Sequence, residues 1–178
     1  MINFHTVDFN LLMQIYRATH NGIFDKIMPV ITNLGYLGLI WILISIVLLI
    51  NKKYRKVGIL CIVAIILTSI AGEGILKNII HRPRPFSEAP EMQLLIAKPT
   101  TYSFPSGHTA SSFAAAYVIS KGIKKLTLPV FILAALIAFS RMYLFVHYPS
   151  DILGGLLLGL ICAKITMAFF NKFYAKKS

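Results

Sequence analysis

The chain has 178 residues, of which 57% are hydrophobic and only 13% charged, and its formal net charge is +12. So few polar residues cannot cover the surface of a water-soluble domain of this size, and the composition therefore indicates an integral membrane protein. A charge of +12 could also indicate nucleic-acid binding. Ten of the 18 basic residues, however, lie in connections and a tail where membrane topology explains them, so we expect no nucleic-acid partner.

The first 33 residues predict two short helices. Between residues 9 and 16, apolar side chains recur at helical spacing opposite polar ones, which is typical of an amphipathic helix lying in the membrane interface. These apolar residues are Phe9, Leu12, Met13, Ile15 and Tyr16. A second helix over about 23–33 is expected to be interfacial as well. The alternative is a sixth, broken span, because Pro29 and the pair Gly35 and Gly38 permit a kink.

Five apolar runs follow, and they predict five membrane-spanning helices. Crossing a hydrocarbon core of about 30 Å takes about 20 residues as helix, and lipid offers no hydrogen-bond partner to an unpaired backbone group. The runs cover residues 34–50, 57–80, 107–120, 126–146 and 152–170. We therefore expect residues 1–178 to form a single membrane-embedded domain, an all-α bundle of five or possibly six spans.

Basic residues in alternate connections predict the orientation of the bundle. They follow the first, third and fifth runs: Lys52, Lys53, Arg55, Lys56, Lys121, Lys124, Lys125, Lys172, Lys176 and Lys177. Positive residues concentrate on the cytoplasmic side of membrane proteins, so these segments should be cytoplasmic. The connections 77–108 and 147–151 should then lie together on the outer face.

The first polar group lies at the end of the second run, where Lys77 is followed by the turn Arg82-Pro83-Arg84-Pro85. Each proline disfavours helical geometry in the residue before it, so the turn can fold Arg84 back over the helix end. The alternative is that Lys77 extends to the headgroups and the arginines bind lipid phosphates nonspecifically. Glu73, one helical turn before Lys77, could form a simple ion pair or hold the ammonium for a ligand; both interpretations stay open.

The second group is Pro105-Ser106-Gly107-His108, at the start of the third run. A helix N-terminus presents free N–H groups, Ser106 can cap it, and Gly107 lets an anion approach the backbone. An ordinary serine cap beside an uninvolved histidine is the alternative. Because the third run has about 14 residues and rises only about 21 Å, its start should be recessed below the headgroups.

The third group is Arg141, His147 and Asp151. The planar fork of an arginine matches phosphate oxygens, and an imidazole held by a carboxylate keeps one nitrogen deprotonated and aimed at an electrophile. His147 is therefore a candidate nucleophile. Asp151 could instead merely cap the last helix, but ionisable groups beside spans are costly and usually paired or functional, which favours a functional interpretation.

The strings Lys77-x6-Arg84-Pro85, Pro105-Ser106-Gly107-His108 and Ser140-Arg141-x5-His147-x3-Asp151 together resemble the signature of the type 2 phosphatidic acid phosphatase superfamily, with every position present in order. That superfamily includes membrane lipid phosphate phosphatases and soluble vanadium haloperoxidases. The resemblance implies that His147 attacks phosphorus, that Asp151 orients it, and that His108 protonates the leaving oxygen and then activates water.

The resemblance also implies a phosphate-binding set and a cofactor-free reaction. The phosphate oxygens would be held by Lys77, Arg84, Ser106, Gly107 and Arg141. Three fixed cations and backbone donors can neutralise the charge that metal ions usually neutralise in phosphoryl transfer. We therefore expect no metal and no other cofactor.

The expected activity is removal of the terminal phosphate from a lipid phosphate or diphosphate in a bacterial plasma membrane. An outward-facing site favours undecaprenyl diphosphate; phosphatidylglycerophosphate, phosphatidic acid and lipid A are the alternatives. A vanadate-dependent haloperoxidase and a lipid transporter are more remote. The linker 86–104 is expected to cover the headgroup. The oligomeric state stays open.

Overall fold

The computed structural model describes residues 4–174, and in this range it contains helices and no strand. The eight α-helices are α1 Phe4–Thr19, α2 Gly22–Leu34, α3 Leu39–Ile50, α4 Arg55–Ser69, α5 Lys77–Ile80, α6 Gly107–Gly122, α7 Thr127–Tyr143 and α8 Pro149–Tyr174. A π-helical segment, Ile70–Leu76, joins α4 to α5. The predicted all-α fold is confirmed. Lys176 and Lys177, which contributed to the predicted orientation, lie outside the described residues.

Three of the five predicted spans are long and apolar enough to cross a membrane individually. Within residues 4–174 these are Arg55–Ser87, Lys124–Tyr143 and Pro149–Lys172. Helix α3, with 12 residues, is too short alone, but Gly22–Leu34 and Tyr36–Ile50 together qualify as one span bent by 47°. Helix α6 has only 16 residues. The count of five therefore stays a prediction.

The bend between α2 and α3 has a local cause in the backbone. Asn21 caps the start of α2 by accepting hydrogen bonds from the N–H groups of Ile23 and Phe24. After α2, Leu37 and Gly38 both have positive φ, 49° and 71°, which interrupts the right-handed helix. The segment 22–33, predicted to be interfacial, is thus one arm of a bent helix pair, as in the broken-span alternative.

Helix α6 is the centre of the bundle and packs against α4, α7 and α8. Its small side chains Ala110, Ala114 and Ala115 are almost completely buried, which lets neighbouring helices approach its backbone closely. Trp41 of α3 donates a hydrogen bond from its indole nitrogen to Ser112 Oγ at 2.9 Å. The position of α6 matters for function because its N-terminus carries one of the polar groups.

The close contact between α6 and α8 at Gly155 is predicted to tolerate no extra methyl group. A Cβ added at Gly155 of α8 would lie 2.6 Å from the carbonyl oxygen of Ser106 and 3.0 Å from Thr109 Cβ. Gly155→Ala should lower the free energy of unfolding by about 1–3 kcal/mol, as overpacking generally does. Thermal unfolding in detergent measures this, with Gly74→Ala as the control, since nothing lies within 4 Å of a Cβ there. Equal melting temperatures for the two variants would contradict this account.

Helix α1 packs against α7 and α8. Leu12 is fully buried, and Phe9, Met13 and Tyr16 pack with it around Phe145 and Tyr148. The apolar face that was expected to contact lipid thus contacts protein, because the segment after α7 offers it an aromatic surface. An opposite side remains exposed and apolar: Phe4, Val7 and Leu11. The interfacial location of α1 stays a prediction.

Candidate active site

The three polar groups of the sequence meet at one cavity of about 520 Å³. Its wall is formed by the end of α2, the bend before α3, the π-helical segment, residues 96–101, the start of α6 and the end of α7. Six of the eight predicted site residues line it: Lys77, Arg84, Gly107, His108, Arg141 and His147. The other two, Ser106 and Asp151, are fully buried behind the wall. The structure therefore brings all eight into one region.

His147 lies in the short connection between α7 and α8 and is 1% exposed. Its Nδ1 is 3.3 Å from Asp151 Oδ2, and its Nε2 is 3.3 Å from Arg84 Nη1. Because the carboxylate can only accept and the guanidinium can only donate, Nδ1 carries the proton and Nε2 carries the lone pair. The imidazole therefore has the tautomer that a nucleophile at Nε2 requires.

The surroundings of His147 also keep the ring neutral. Its pKa lies well below the usual histidine range, mainly because burial disfavours the charged form. The nearby cations Arg84, Arg141 and Lys77 lower it further. Both effects favour the neutral ring, which has a lone pair available for attack.

Asp151 is held from several directions. Its Oδ2 accepts hydrogen bonds from Ser103 Oγ at 2.5 Å and from the Tyr148 N–H at 2.8 Å, in addition to its contact with His147. Its Oδ1 accepts from Arg82 Nη1 at 2.7 Å. Such partners fix the carboxylate, and the carboxylate in turn fixes the imidazole.

Two of the three cations are positioned by the segment before α6. Arg84 donates from Nε to the carbonyl oxygen of Thr101 at 2.7 Å and from Nη1 to that of Val146 at 2.8 Å. Lys77 Nζ donates to Thr101 Oγ1 at 3.0 Å and pairs with Glu73 Oε1 at 2.8 Å. Glu73 thus forms an ion pair with Lys77, and both residues lie on the cavity wall. This contact is compatible with a simple ion pair and with a carboxylate that holds the ammonium for a ligand.

Arg141 has unused hydrogen-bonding capacity. Its Nη1 donates to Thr32 Oγ1 of α2, but its buried Nε has no partner. The residue is only 4% exposed, and burying an unpaired donor costs about 1–3 kcal/mol. Since Arg141 lines the cavity, an anion bound there would satisfy this donor.

The N-terminus of α6 contributes backbone donors and a histidine to the cavity. Ser106 Oγ accepts hydrogen bonds from the N–H and the hydroxyl of Thr109, so Ser106 caps the helix as predicted. A Cβ on Gly107 would collide with Glu73 Oε1, so any larger residue here would displace that carboxylate from its present position. His108 lies on the wall near the same position.

Several residues around the site had no role in the sequence interpretation. Thr101 and Ser103 bind the cations and Asp151, and Thr32 binds Arg141. Arg82 and Asp8 form a further ion pair behind Asp151. The hydroxyl-rich run Thr100-Thr101-Tyr102-Ser103 just before the second motif was the available signal for two of them. Within residues 4–174, no three His, Cys, Asp or Glu side chains are grouped as metal ligands would be.

Comparison with known proteins identifies the family. The profile of the PAP2 superfamily matches residues 58–175. The chain belongs to the PAP2 superfamily. The resemblance recognised in its three motifs is confirmed. Its long apolar helices, and the phosphatases that it resembles, identify it within that superfamily as a membrane lipid phosphatase.

The relatives and solved structures of this PAP2 protein agree with that assignment. The undecaprenyl-diphosphatase of Sulfolobus acidocaldarius is 34% identical over 89% of this chain and 74% of its own length. The undecaprenyl-diphosphatase BcrC of Bacillus subtilis is 31% identical over 84% of this chain and 77% of its own. The crystal structure of Aquifex aeolicus LpxE superposes with a TM-score of 0.77 at 31% identity, covering 89% of this chain and 93% of that one.

A second solved structure resembles the fold over almost the whole chain. The PAP2-type phosphatidylglycerolphosphate phosphatase of Bacillus subtilis superposes with a TM-score of 0.74 at 25% identity, covering 94% of this chain and 86% of that one. The fold is thus shared with an enzyme named for phosphatidylglycerolphosphate, a different lipid from the one that names the two undecaprenyl-diphosphatases.

Proposed function

We propose that this PAP2 protein removes the terminal phosphate of undecaprenyl diphosphate through a phosphohistidine formed on His147. The observation that carries the proposal is the convergence of the His147 Nε2 lone pair, three cations and the N-terminus of α6 on one cavity. A nucleophile, charge-neutralising donors and a leaving-group acid are the parts that phosphoryl transfer requires.

The proposed reaction has two steps. The Nε2 lone pair of His147 attacks the terminal phosphorus, the bond from phosphorus to the leaving oxygen breaks, and protonated His108 transfers its proton to that oxygen. His108 then removes a proton from water, which attacks the phosphohistidine and releases inorganic phosphate and neutral His147. His108 regains the acid form that the next cycle needs.

The charge of the phosphoryl group is balanced by groups fixed before substrate arrives. Lys77, Arg84 and Arg141 contact the equatorial oxygens, together with the Gly107 N–H. Ser106 was also expected to hold a phosphate oxygen, but it is buried behind the cavity wall. Its proposed role is therefore to cap α6 and keep the first turn of that helix in place. Donors already aimed at the transferring group need no reorganisation during reaction. On this basis we propose turnover without a metal ion.

Two features support undecaprenyl diphosphate as the substrate. The relatives from Sulfolobus acidocaldarius and Bacillus subtilis, 34% and 31% identical over most of this chain, both carry the name undecaprenyl-diphosphatase. In addition, α4, α6 and α7 each have one end at the cavity and the other beside a basic segment, residues 52–56 or 121–125. Helix α8 begins behind the cavity wall, where Asp151 lies, and ends beside Lys172. The positive-inside bias then supports a site that opens on the outer face of the plasma membrane.

The linker 86–104 is proposed to contribute to the choice of lipid headgroup. Its residues 96–101, including Lys98 and Thr101, line the cavity, and Thr101 binds both Lys77 and Arg84. A headgroup that enters the cavity would contact this segment beside the phosphate-binding cations.

The test is release of inorganic phosphate by the detergent-purified protein, with chelator present. The substrates are undecaprenyl diphosphate, phosphatidylglycerophosphate, phosphatidic acid and lipid A. We expect the highest kcat/KM on undecaprenyl diphosphate. Preference for another lipid would refute the assigned substrate and leave the chemistry standing, whereas dependence on added metal would refute the proposed charge balance.

A further inference from the structure

An ion-pair chain runs from helix α1 to the carboxylate behind His147. Arg82 donates from Nη1 to Asp151 Oδ1 and from Nη2 to Asp8 Oδ2, both at 2.7 Å. Asp8 also accepts the N–H of Ser150 at 3.0 Å and the Ser150 hydroxyl. Arg82 thus bridges two carboxylates, one on the first helix and one in the candidate active site.

This series of ion pairs, from Asp8 through Arg82 to Asp151, is shielded from solvent. The side chains of Asp8 and Arg82 are 5% and 13% exposed, and that of Asp151 is completely buried. The guanidinium carbon of Arg82 lies 3.9 Å from the centre of the Tyr148 ring, which covers one of its faces. Buried charges with partners at these distances are poorly screened, so removing one member exposes the others to an unbalanced charge.

The geometry assigns each member a task. Because Arg82 occupies Oδ1 of Asp151, the carboxylate cannot rotate without losing that bond, and Oδ2 stays directed at His147 Nδ1. The cation of Arg82 alone would weaken the attraction between Asp151 and an imidazole that becomes positive on phosphorylation. The anion of Asp8 offsets that cation.

We propose that Asp8 and Arg82 are positioning residues for phosphoryl transfer, acting on His147 through Asp151. The inference rests on the proposed function, since it takes His147 as the nucleophile. It also means that α1, which contains Asp8, contributes to the reaction. Asp8 lies outside residues 58–175, the part matched by the family profile. Neither residue contacts the cavity that would hold the phosphate.

Two variants, Asp8→Asn and Arg82→Gln, test the proposal. Each should lower kcat by about 10- to 100-fold, as loss of such supporting partners typically does, while KM changes less than about twofold because the phosphate-binding cations are untouched. The matched control is Asp25→Asn. Asp25 binds the Tyr143 hydroxyl and so ties α2 to α7, but it makes no contact with Asp151.

The dependence of kcat/KM on pH distinguishes a positioning role of Asp8 and Arg82 from a purely structural one. The informative part is the acid limb, where activity falls as His147 becomes protonated. The charged and titratable groups around His147 are Arg84, Arg141, Lys77, His108 and Asp151, and all remain in both variants. Arg82→Gln removes a positive charge, so the pKa of His147 should rise and the acid limb of kcat/KM should move to higher pH. Asp8→Asn removes a negative charge, so the same limb should move to lower pH.

The possible results test two separate claims: the positioning role of Asp8 and Arg82, and the nucleophilic role of His147. Opposite shifts of the acid limb, with kcat lowered and Asp25→Asn near wild type, support the positioning role. Unchanged kcat in both folded variants would overturn it, and so would shifts in the same direction or an equal loss in Asp25→Asn. A His147→Ala variant measured beside them keeps the two claims distinct, because activity retained there refutes the proposed nucleophile itself.

Discussion

His147→Ala is expected to reduce phosphate release by roughly 10⁴-fold or more, as loss of an enzymatic nucleophile does elsewhere. No other described side chain on the cavity wall combines a free lone pair with a carboxylate partner, since His108 makes no ion pair with Asp or Glu among residues 4–174. Binding of the lipid should persist, because Lys77, Arg84 and Arg141 remain. Initial rates on the preferred lipid, together with lipid binding to the variant, measure both effects.

The covalent intermediate provides a more direct readout of the same change. Substrate labelled with ³²P in the terminal phosphate should transfer label to wild-type protein in a bond that is stable to alkali and labile to acid, as phosphohistidine is. The label should be absent from His147→Ala and present in His20→Ala, whose imidazole stacks on Tyr16 away from the cavity. Label retained in His147→Ala would place the nucleophile elsewhere.

His108→Gln is expected to give a loss that depends on the leaving group. On a lipid diphosphate, kcat/KM should fall by roughly 10²–10⁴-fold, the usual contribution of a general acid. On an aryl phosphate, whose phenolate leaves without a proton, the first step should be nearly unaffected. The second step still lacks its base, so phenolate should appear in a burst equal to the enzyme concentration and then slowly.

Rapid-mixing measurement of phenolate release tests this prediction. Wild-type protein is the control for burst size, and His147→Ala is the control for its origin, since it should show no burst. Equal losses on the lipid and on the aryl phosphate, without a burst, would show that His108 does not act as the acid.

The sequence was most informative where chemistry is encoded locally. Lys77, Arg84, His108, Arg141 and His147 were all identified as candidates because charged residues at the ends of apolar runs are costly and therefore conspicuous. The helix cap at Ser106 was also predictable, since its partner Thr109 is three residues away. Spacing within a motif determines such contacts before the chain folds.

Contacts between distant segments were not predictable in this way. Asp8 meets Arg82 across 74 residues, and Thr32 meets Arg141 across 109 residues. Nothing in the periodicity of α1 shows that its apolar face packs on Phe145 rather than on lipid, because both surfaces are hydrophobic. The bend at Leu37 and Gly38 likewise lets α2 pack on α7 and α3 pack on α4, and local sequence does not specify those partners.

The position of Glu73 affects how readily inorganic phosphate, the proposed product, dissociates from the site. This carboxylate pairs with Lys77 and lies against Gly107, where a phosphate would also bind in the proposed mechanism. The free energy that phosphate gains from Lys77 is therefore reduced, because phosphate must first displace the carboxylate of Glu73 from that ammonium group. Binding becomes an exchange of one anion for another. In the proposed mechanism, the site can therefore keep three cations together and still release inorganic phosphate readily.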